Sequence, residues 1–171
     1  QSLDITRPYD ETNANIEVQK QRYLFTALFS AGVMMPVGYE FGFRKRLDVV
    51  RTRPGDWEQT GVDLTDYIRR VNAVKDAYPV FQEDGLIQTL GHGNASVLVL
   101  WKGSARSRNQ ALLILNRDPA NWQHFHSEDL YRDIQAPPPL VDISPDWPMD
   151  HIPTPFTYDL PPAAARVLVA G

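Results

Sequence analysis

The sequence has no cysteine among its 171 residues, which excludes disulfide bonds and thiol chemistry. It has no apolar run of about 18 residues, so it predicts no transmembrane helix. The N-terminus lacks the basic and then apolar segments of a signal peptide. With a formal net charge of −4 there is no electrostatic reason to expect nucleic acid or an anionic membrane as a partner. Together these absences favour a cytoplasmic protein.

What the chain does contain is ordinary for a globular protein, at 43% apolar and 22% charged residues. The length suits one domain or slightly more. The first residue is not Met, which suits a processed fragment. Nine of the 14 prolines lie between residues 137 and 162, where they favour turns over long helices.

The first half predicts two helices. One is capped by Thr12 or Asn13 and runs to about Ala31. It is apolar nearly all round after Gln21, which is typical of a helix buried on more than one side. The second has the 3.6-residue apolar period over residues 64–78, with a cap at Thr60 or Asp63 and an end at Pro79.

Between these helices lies a short apolar run, Val33–Val37, which predicts a parallel strand covered on both faces. Pro36 indicates the end of that strand. Gly38 and Gly42 then permit tight turns. Residues 43–60 are charged and long for a connection, and long structured loops are often functional.

After Pro79 the sequence pattern changes to runs of residues that favour β-strands, separated by turn residues. This pattern predicts an antiparallel sandwich of about 90 residues, with the domain boundary near Val80. The predicted strands are Leu86–Leu90, Ser96–Trp101, Ala111–Leu115, Leu140–Ile143, Phe156–Leu160 and Arg166–Val169.

The two halves together resemble the C-terminal portion of the α-amylase superfamily, glycoside hydrolase family 13. Gly38-Tyr39-Glu40 is similar to the Gly-x-Glu near the end of barrel strand eight in that family. Residues 68–79 resemble its last barrel helix, 111–116 the strand of its β domain that ends in Asn, and 156–169 its closing strands. The resemblance implies an α/β remnant at 1–79, namely the helix, strand eight and last helix of a TIM barrel. An all-β antiparallel sandwich follows at 80–171.

Within the superfamily the chain looks most like the maltose-1-phosphate maltosyltransferases. The motifs that carry this are residues 38–42, Asp56-Trp57-Glu58 and residues 115–119. The resemblance implies transfer of maltosyl units from maltose 1-phosphate to α-1,4-glucan in glycogen biosynthesis, without a cofactor.

Retaining enzymes of this superfamily need two carboxylates on opposite sides of the glycosidic bond. The barrel segments that carry them in the family have no counterpart here, and no Asn-His-Asp is present. Arg46-Leu47-Asp48 spells the Arg-x-Asp of the nucleophile but follows strand eight, so we interpret it as coincidence. We therefore expect no catalytic residue in this chain and no activity from the chain alone.

The residues expected at the rim of the substrate site are Tyr39, Glu40, Arg44, Arg51 and Arg53. Glu40 would lie at a strand C-terminus on the active face, or else form a structural ion pair. Tyr39 would line a sugar site, or else be a buried hydrogen-bonded tyrosine. The arginines belong to a basic cluster with Lys45 and Arg46 that would suit a sugar phosphate, or else form a solvated loop paired with nearby acids.

The four tryptophans are candidates for stacking on sugar rings, and Trp122 is the best of them because it lies in a polar stretch with His124 and His126. Trp101 ends a predicted strand and is expected in the core. His124-x-His126 has a spacing that suits metal ligands on a strand, but the pattern specifies no third ligand, so no metal is expected.

Several other functions stay open. The intact enzyme could be another hydrolase or transglycosylase of the superfamily. The β domain could be a non-catalytic carbohydrate-binding module. The chain could also be a structural or interaction domain, and a homo-oligomer would then form through the barrel-facing surface that a truncated barrel leaves uncovered.

Overall fold

The computed structural model describes residues 7–45, 47–48 and 50–170. Arg46 of the predicted basic cluster lies outside these residues. The α-helices are α1 (Pro8–Glu11), α2 (Ile16–Phe29), α3 (Thr65–Ala77) and α4 (Leu130–Ile134), with 3-10 turns at Pro54–Asp56 and Pro79–Phe81. In the described part of the chain, no helix has both the length and the apolar character needed to cross a bilayer.

Helix α2 begins later than the sequence predicts. Its cap is Asn15, whose Oδ1 accepts a hydrogen bond from the Val18 amide at 3.1 Å, whereas Asn13 adopts a left-handed conformation. At the other end two lysines satisfy its last carbonyls. Lys75 Nζ donates to the carbonyls of Ala27 and Ser30, and Lys102 Nζ donates to that of Leu28 at 3.1 Å. These cationic groups end the helix near Phe29.

Helix α3 forms where its period predicts, with Leu64 at the cap position instead of Thr60 or Asp63. Asp63 still contributes, because its Oδ1 accepts hydrogen bonds from the amide and hydroxyl of Thr65. Thr60 instead donates its hydroxyl to the carbonyl of Phe41. The helix ends before Pro79, as expected.

The strand predicted over Val33–Val37 is not formed. Residues 33–36 have no regular secondary structure, and the described residues supply no strand beside them. A strand exists only where a neighbour shares its hydrogen bonds, and the apolar composition of the segment specifies no such neighbour. Met34 is consequently 93% exposed, and Val37 is exposed as well.

Seven strands form two antiparallel sheets within the described residues. The larger sheet has the order β1-β2-β3-β7-β5, and the smaller pairs β4 with β6. The strands are β1 (Leu86–Leu90), β2 (Val97–Gly103), β3 (Gln110–Asn116), β4 (Gln123–Ser127), β5 (Leu140–Asp142), β6 (Phe156–Leu160) and β7 (Ala165–Ala170). Strand β4 is not among the strands that the sequence predicts, because Phe125 is its only large apolar residue.

The larger sheet is covered on both faces. Ala111, Leu113 and Leu115 of β3 pack toward α2 and α3, while Leu112 and Ile114 pack toward β4, β6 and α4. The apolar core on the helical side continues across the predicted domain boundary at 79/80, from Leu28 and Val71 to Val167. The boundary itself stays a prediction.

Candidate functional site

The predicted rim begins at a tight turn after the extended segment. The Phe43 amide donates to the carbonyl of Gly38 at 2.9 Å, and the Gly42 amide donates to that of Tyr39 at 3.1 Å. Gly38 has a φ of +82°, and a Cβ there would lie 2.0 Å from the Phe43 ring. Only glycine fits this position. The turn therefore fixes where Tyr39 and Glu40 lie.

Tyr39 is held against the helical core. Its hydroxyl donates to the carbonyl of Gln19 at 2.7 Å, and its ring lies 6.1 Å from that of Tyr23. Burial raises the pKa of Tyr39 to about 12, so the phenol is neutral at physiological pH. This is the arrangement of a structural tyrosine, and a contact with sugar stays a prediction.

Glu40 joins two elements through its backbone, and its side chain has a buried oxygen without a hydrogen-bond partner among the described residues. Its backbone carbonyl accepts a hydrogen bond from the Leu64 amide at 2.8 Å, which joins the turn to the start of α3. Its side-chain Oε2 is buried, and no described residue hydrogen-bonds to it. A buried carboxylate oxygen normally has a partner, so Glu40 is the side chain of the turn most in need of one.

Among the described residues, the acids of residues 43–60 bind backbone amides and no guanidinium group. Glu58 Oε2 accepts hydrogen bonds from the amides of Arg44 and Lys45, both at 2.7 Å. Asp48 accepts from the Arg51 amide at 2.9 Å, and Asp56 from the Arg53 amide at 2.8 Å. These carboxylates therefore shape the loop, and they leave the arginine side chains to other partners.

The three predicted arginines do not converge. Arg44 places its guanidinium 5.4 Å from the centre of the Tyr9 ring, with Nε 3.7 Å from Asp10. Arg53 folds back onto its own loop and donates to the carbonyl of Val50 at 2.8 Å. Arg51 is exposed. Arg44 and Arg53 thus bind different partners, and a shared oxyanion site stays a prediction.

An open cleft of about 460 Å³ lies beside Arg44. Lys45, Glu58 and Trp57 also line it, whereas Arg51 and Arg53 are not among the described residues that do so. Trp57 is half-exposed, lines an adjacent cleft of about 410 Å³ and packs edge-on against Phe43 at 6.0 Å. The sequence signals for Trp57 are the Asp56-Trp57-Glu58 motif and its being one of the four tryptophans that could stack on sugar rings.

Trp122 lies apart from that cleft, immediately before β4, and is 64% exposed. Beside it, His124 Nδ1 is 2.8 Å from Asp159, and His126 is hydrogen-bonded to Thr157 and Glu128. No group of three or more potential metal ligands is found in the described residues. Trp101 is buried as expected and donates its indole N–H to the carbonyl of Ile134 at 2.7 Å.

The fold of the chain is found within a solved structure, that of AmyP in complex with maltose. The two superpose with a TM-score of 0.67 and 16% sequence identity over 99% of this chain. This chain spans 37% of the length of AmyP. No protein-family model matches the sequence, and neither does any curated protein. At this level of identity the likeness establishes the fold alone.

Proposed function

We propose that the chain is the C-terminal part of an α-glucan-active enzyme of the α-amylase superfamily. The observation that carries this proposal is the superposition on AmyP, which spans both the helices and the sheets and involves a protein crystallised with maltose. The sequence motifs supply independent support. Residues 38–42, 68–79 and 111–116 occur in the order that the superfamily uses.

The exposed segment after α2 supports the barrel part of this proposal. Residues 33–36 are extended and apolar, and Met34 and Val37 face solvent without a neighbouring strand among the described residues. In a complete barrel such a segment would pair on both sides and bury these side chains. The apolar surface that stays open in the isolated chain, including Phe25 of α2, would also promote self-association.

The rim of the active site would then be supplied by the turn and loop described above. Glu40 would offer its unpartnered oxygen to a residue of the barrel or to a sugar hydroxyl. Arg44, Trp57 and Glu58 would face the substrate from their shared cleft. The two catalytic carboxylates would come from elsewhere in the enzyme, so the chain alone would be inactive. A cytoplasmic location fits this role.

For the reaction we propose maltosyl transfer from maltose 1-phosphate to α-1,4-glucan. The test is phosphate release from maltose 1-phosphate with glycogen as acceptor, measured for the intact enzyme and for this chain. Release by the intact enzyme only would support the proposal. Turnover by the isolated chain would overturn the assignment of the carboxylates, and no release by either would overturn maltosyl transfer.

A hydrolase or transglycosylase of the same superfamily is the second candidate, and one observation favours it. Phosphate recognition works best through converging guanidinium groups, yet Arg51 and Arg53 do not line the cleft of Arg44. An enzyme without a phosphorylated donor has no need of such a cluster. Release of short maltooligosaccharides from glycogen without added donor would support this alternative.

A further inference from the structure

A cleft of about 530 Å³ lies on the other side of α2 from the extended segment. Its walls are α2 with Tyr67 of α3, the loop 145–147 and the turn 161–165. Gln21 of α2 donates to the carbonyls of Asn116 and Ala164, at 2.7 and 3.2 Å. The two walls are thereby held at a fixed separation, as in a preorganised ligand site.

Trp147 lines this cleft and is unusual in both its exposure and its backbone conformation. It is 86% exposed and has a φ of +52°. Large aromatic side chains are rarely left so open, and a left-handed conformation at a bulky residue is strained. The exposure of the indole does not help the chain to fold, so it points to a task for this side chain outside the core.

A buried network holds Trp147 in this position. The guanidinium of Arg166 donates to the carbonyl of Trp147 and to the hydroxyl of Tyr158. Asp142, whose side chain is fully buried, pairs with Arg166 at 3.2 Å and accepts the Met149 amide at 3.1 Å. Because a buried charge pair of this kind is rigid and well bonded, the backbone at Trp147 is held in place, and the indole is carried on a fixed part of the loop.

The charges in the cleft are already paired. Lys20 lies 3.0 Å from Glu17 and 3.7 Å from Asp146, and Asp146 also binds Arg70 at 2.7 Å. Arg166 is neutralised by Asp142. The cleft therefore has no spare charge to attract an anion or a cation, but it offers donors and acceptors for neutral hydroxyl groups.

From these observations we propose that this cleft is a non-catalytic binding site for a maltooligosaccharide. One sugar ring stacks its apolar face on Trp147, and its hydroxyls hydrogen-bond to Glu17, Lys20 and Asp146. The class of ligand rests on the proposed function, in which α-glucan is the substrate. The site lies away from Glu40 and Arg44, so it would hold the polymer near the enzyme without taking part in the reaction.

The test is isothermal titration of the whole chain with maltoheptaose. The variant Trp147→Gly removes the ring and tolerates the positive φ, so the carbonyl that Arg166 binds stays in place. We expect the dissociation constant to rise about tenfold or more, which is the loss of one good aromatic contact. The control Leu86→Ala removes another exposed apolar side chain, one that does not line the cleft, and should change affinity less than about twofold.

Three results of this titration would overturn the proposal. They are no binding by the unaltered chain, unchanged affinity in Trp147→Gly, or a greater loss in a Trp122→Ala variant, which would place the sugar on the exposed indole before β4 instead. Unchanged circular dichroism would show that each variant is folded. Preferential binding of a proline-rich peptide would also overturn it, since that ligand stacks on exposed tryptophan too. Because this is a binding measurement on the chain itself, its failure is separate from a failure of the intact enzyme to act on glucan.

Discussion

Asn116, at the end of β3, connects the loop that follows β3 to the turn that follows β6. Its side chain is fully buried, and Nδ2 lies 2.8–3.2 Å from the carbonyls of Asn121, Leu160 and Pro161. Asn116→Ala would leave these buried carbonyls without a donor, so we expect a loss of about 2–4 kcal/mol of unfolding free energy. Urea denaturation would measure it. Asn121→Ala, at an exposed position, is the control, and equal small losses in both variants would contradict this role.

The ionisation of Tyr39 is expected to lower the free energy of unfolding at alkaline pH. Its folded-state pKa is raised by burial to about 12, above the unfolded value near 10. The neutral phenol therefore contributes fully below pH 10, and this contribution is lost as the pH rises from about 10 to about 12. Two pK units correspond to at most about 2.7 kcal/mol. Tyr39→Phe should flatten the decline in unfolding free energy across that range.

Urea unfolding at several pH values between about 8 and 11.5, the range in which tyrosine ionises, checks this prediction. Tyr131→Phe, on the opposite side of the larger sheet, should keep the decline of the unaltered chain. Burial also raises the pKa values of Tyr23 and Tyr67, so part of the decline should persist in Tyr39→Phe. An unchanged slope in that variant would contradict the role of Tyr39.

At the scale of elements, the turn after α2 depends on Gly38. Gly38→Ala would force a Cβ to 2.0 Å from the Phe43 ring at a φ of +82°. We expect a loss of about 2–4 kcal/mol of unfolding free energy. Gly55→Ala is the matched control, because its Cβ would meet no atom within 4 Å. Equal midpoints of urea unfolding in the two variants would show that the turn is not tightly packed.

Elements with a strong apolar period could be predicted from the sequence, and the others could not. Helices α2 and α3 and six strands follow from periodicity and turn residues. Strand β4 could not be recognised because its single inward aromatic residue, Phe125, lies between exposed histidines. The segment 33–37 has the composition of a strand, but a neighbouring strand is needed to form one, and local sequence does not encode that neighbour.

The candidate site likewise has features that the sequence predicts and features that it does not. The turn at Gly38 was predictable from glycine spacing. The separation of Arg44 from Arg53 was not, because it depends on a contact with Tyr9 and on a hydrogen bond inside an irregular loop. The sequence does not distinguish Trp147 from the other three tryptophans. Its distinguishing feature is a backbone carbonyl held by Arg166, which is itself paired with buried Asp142.

At the scale of the whole molecule, the helices and the sheets depend on one another. Residues 80–170 alone would expose the face of the larger sheet that α2 and α3 cover, including Leu113, Leu115 and Val167. Uncovered apolar area of this kind leads to aggregation or a molten state. We expect the fragment to lack a cooperative thermal transition in calorimetry. A sharp transition would instead show that the β half is an independent domain.

The isolated chain is also expected to self-associate as a whole molecule. The open apolar surface of Phe25, Met34 and Val37 should pair with itself in the isolated chain. Sedimentation velocity should show oligomers that shift toward monomer in a Met34→Lys, Val37→Lys double variant. Val141→Lys, at an exposed apolar position on edge strand β5, is the control. A clean monomer of the unaltered chain at high concentration would contradict this prediction.

The central claim is that the chain belongs to an α-glucan enzyme. The most direct measurement is the chain-length distribution of maltoheptaose after incubation with the intact enzyme, with and without maltose 1-phosphate, by mass spectrometry. We predict a changed distribution, with products longer by two glucose units where maltose 1-phosphate is the donor. An unchanged distribution under both conditions would contradict the claim.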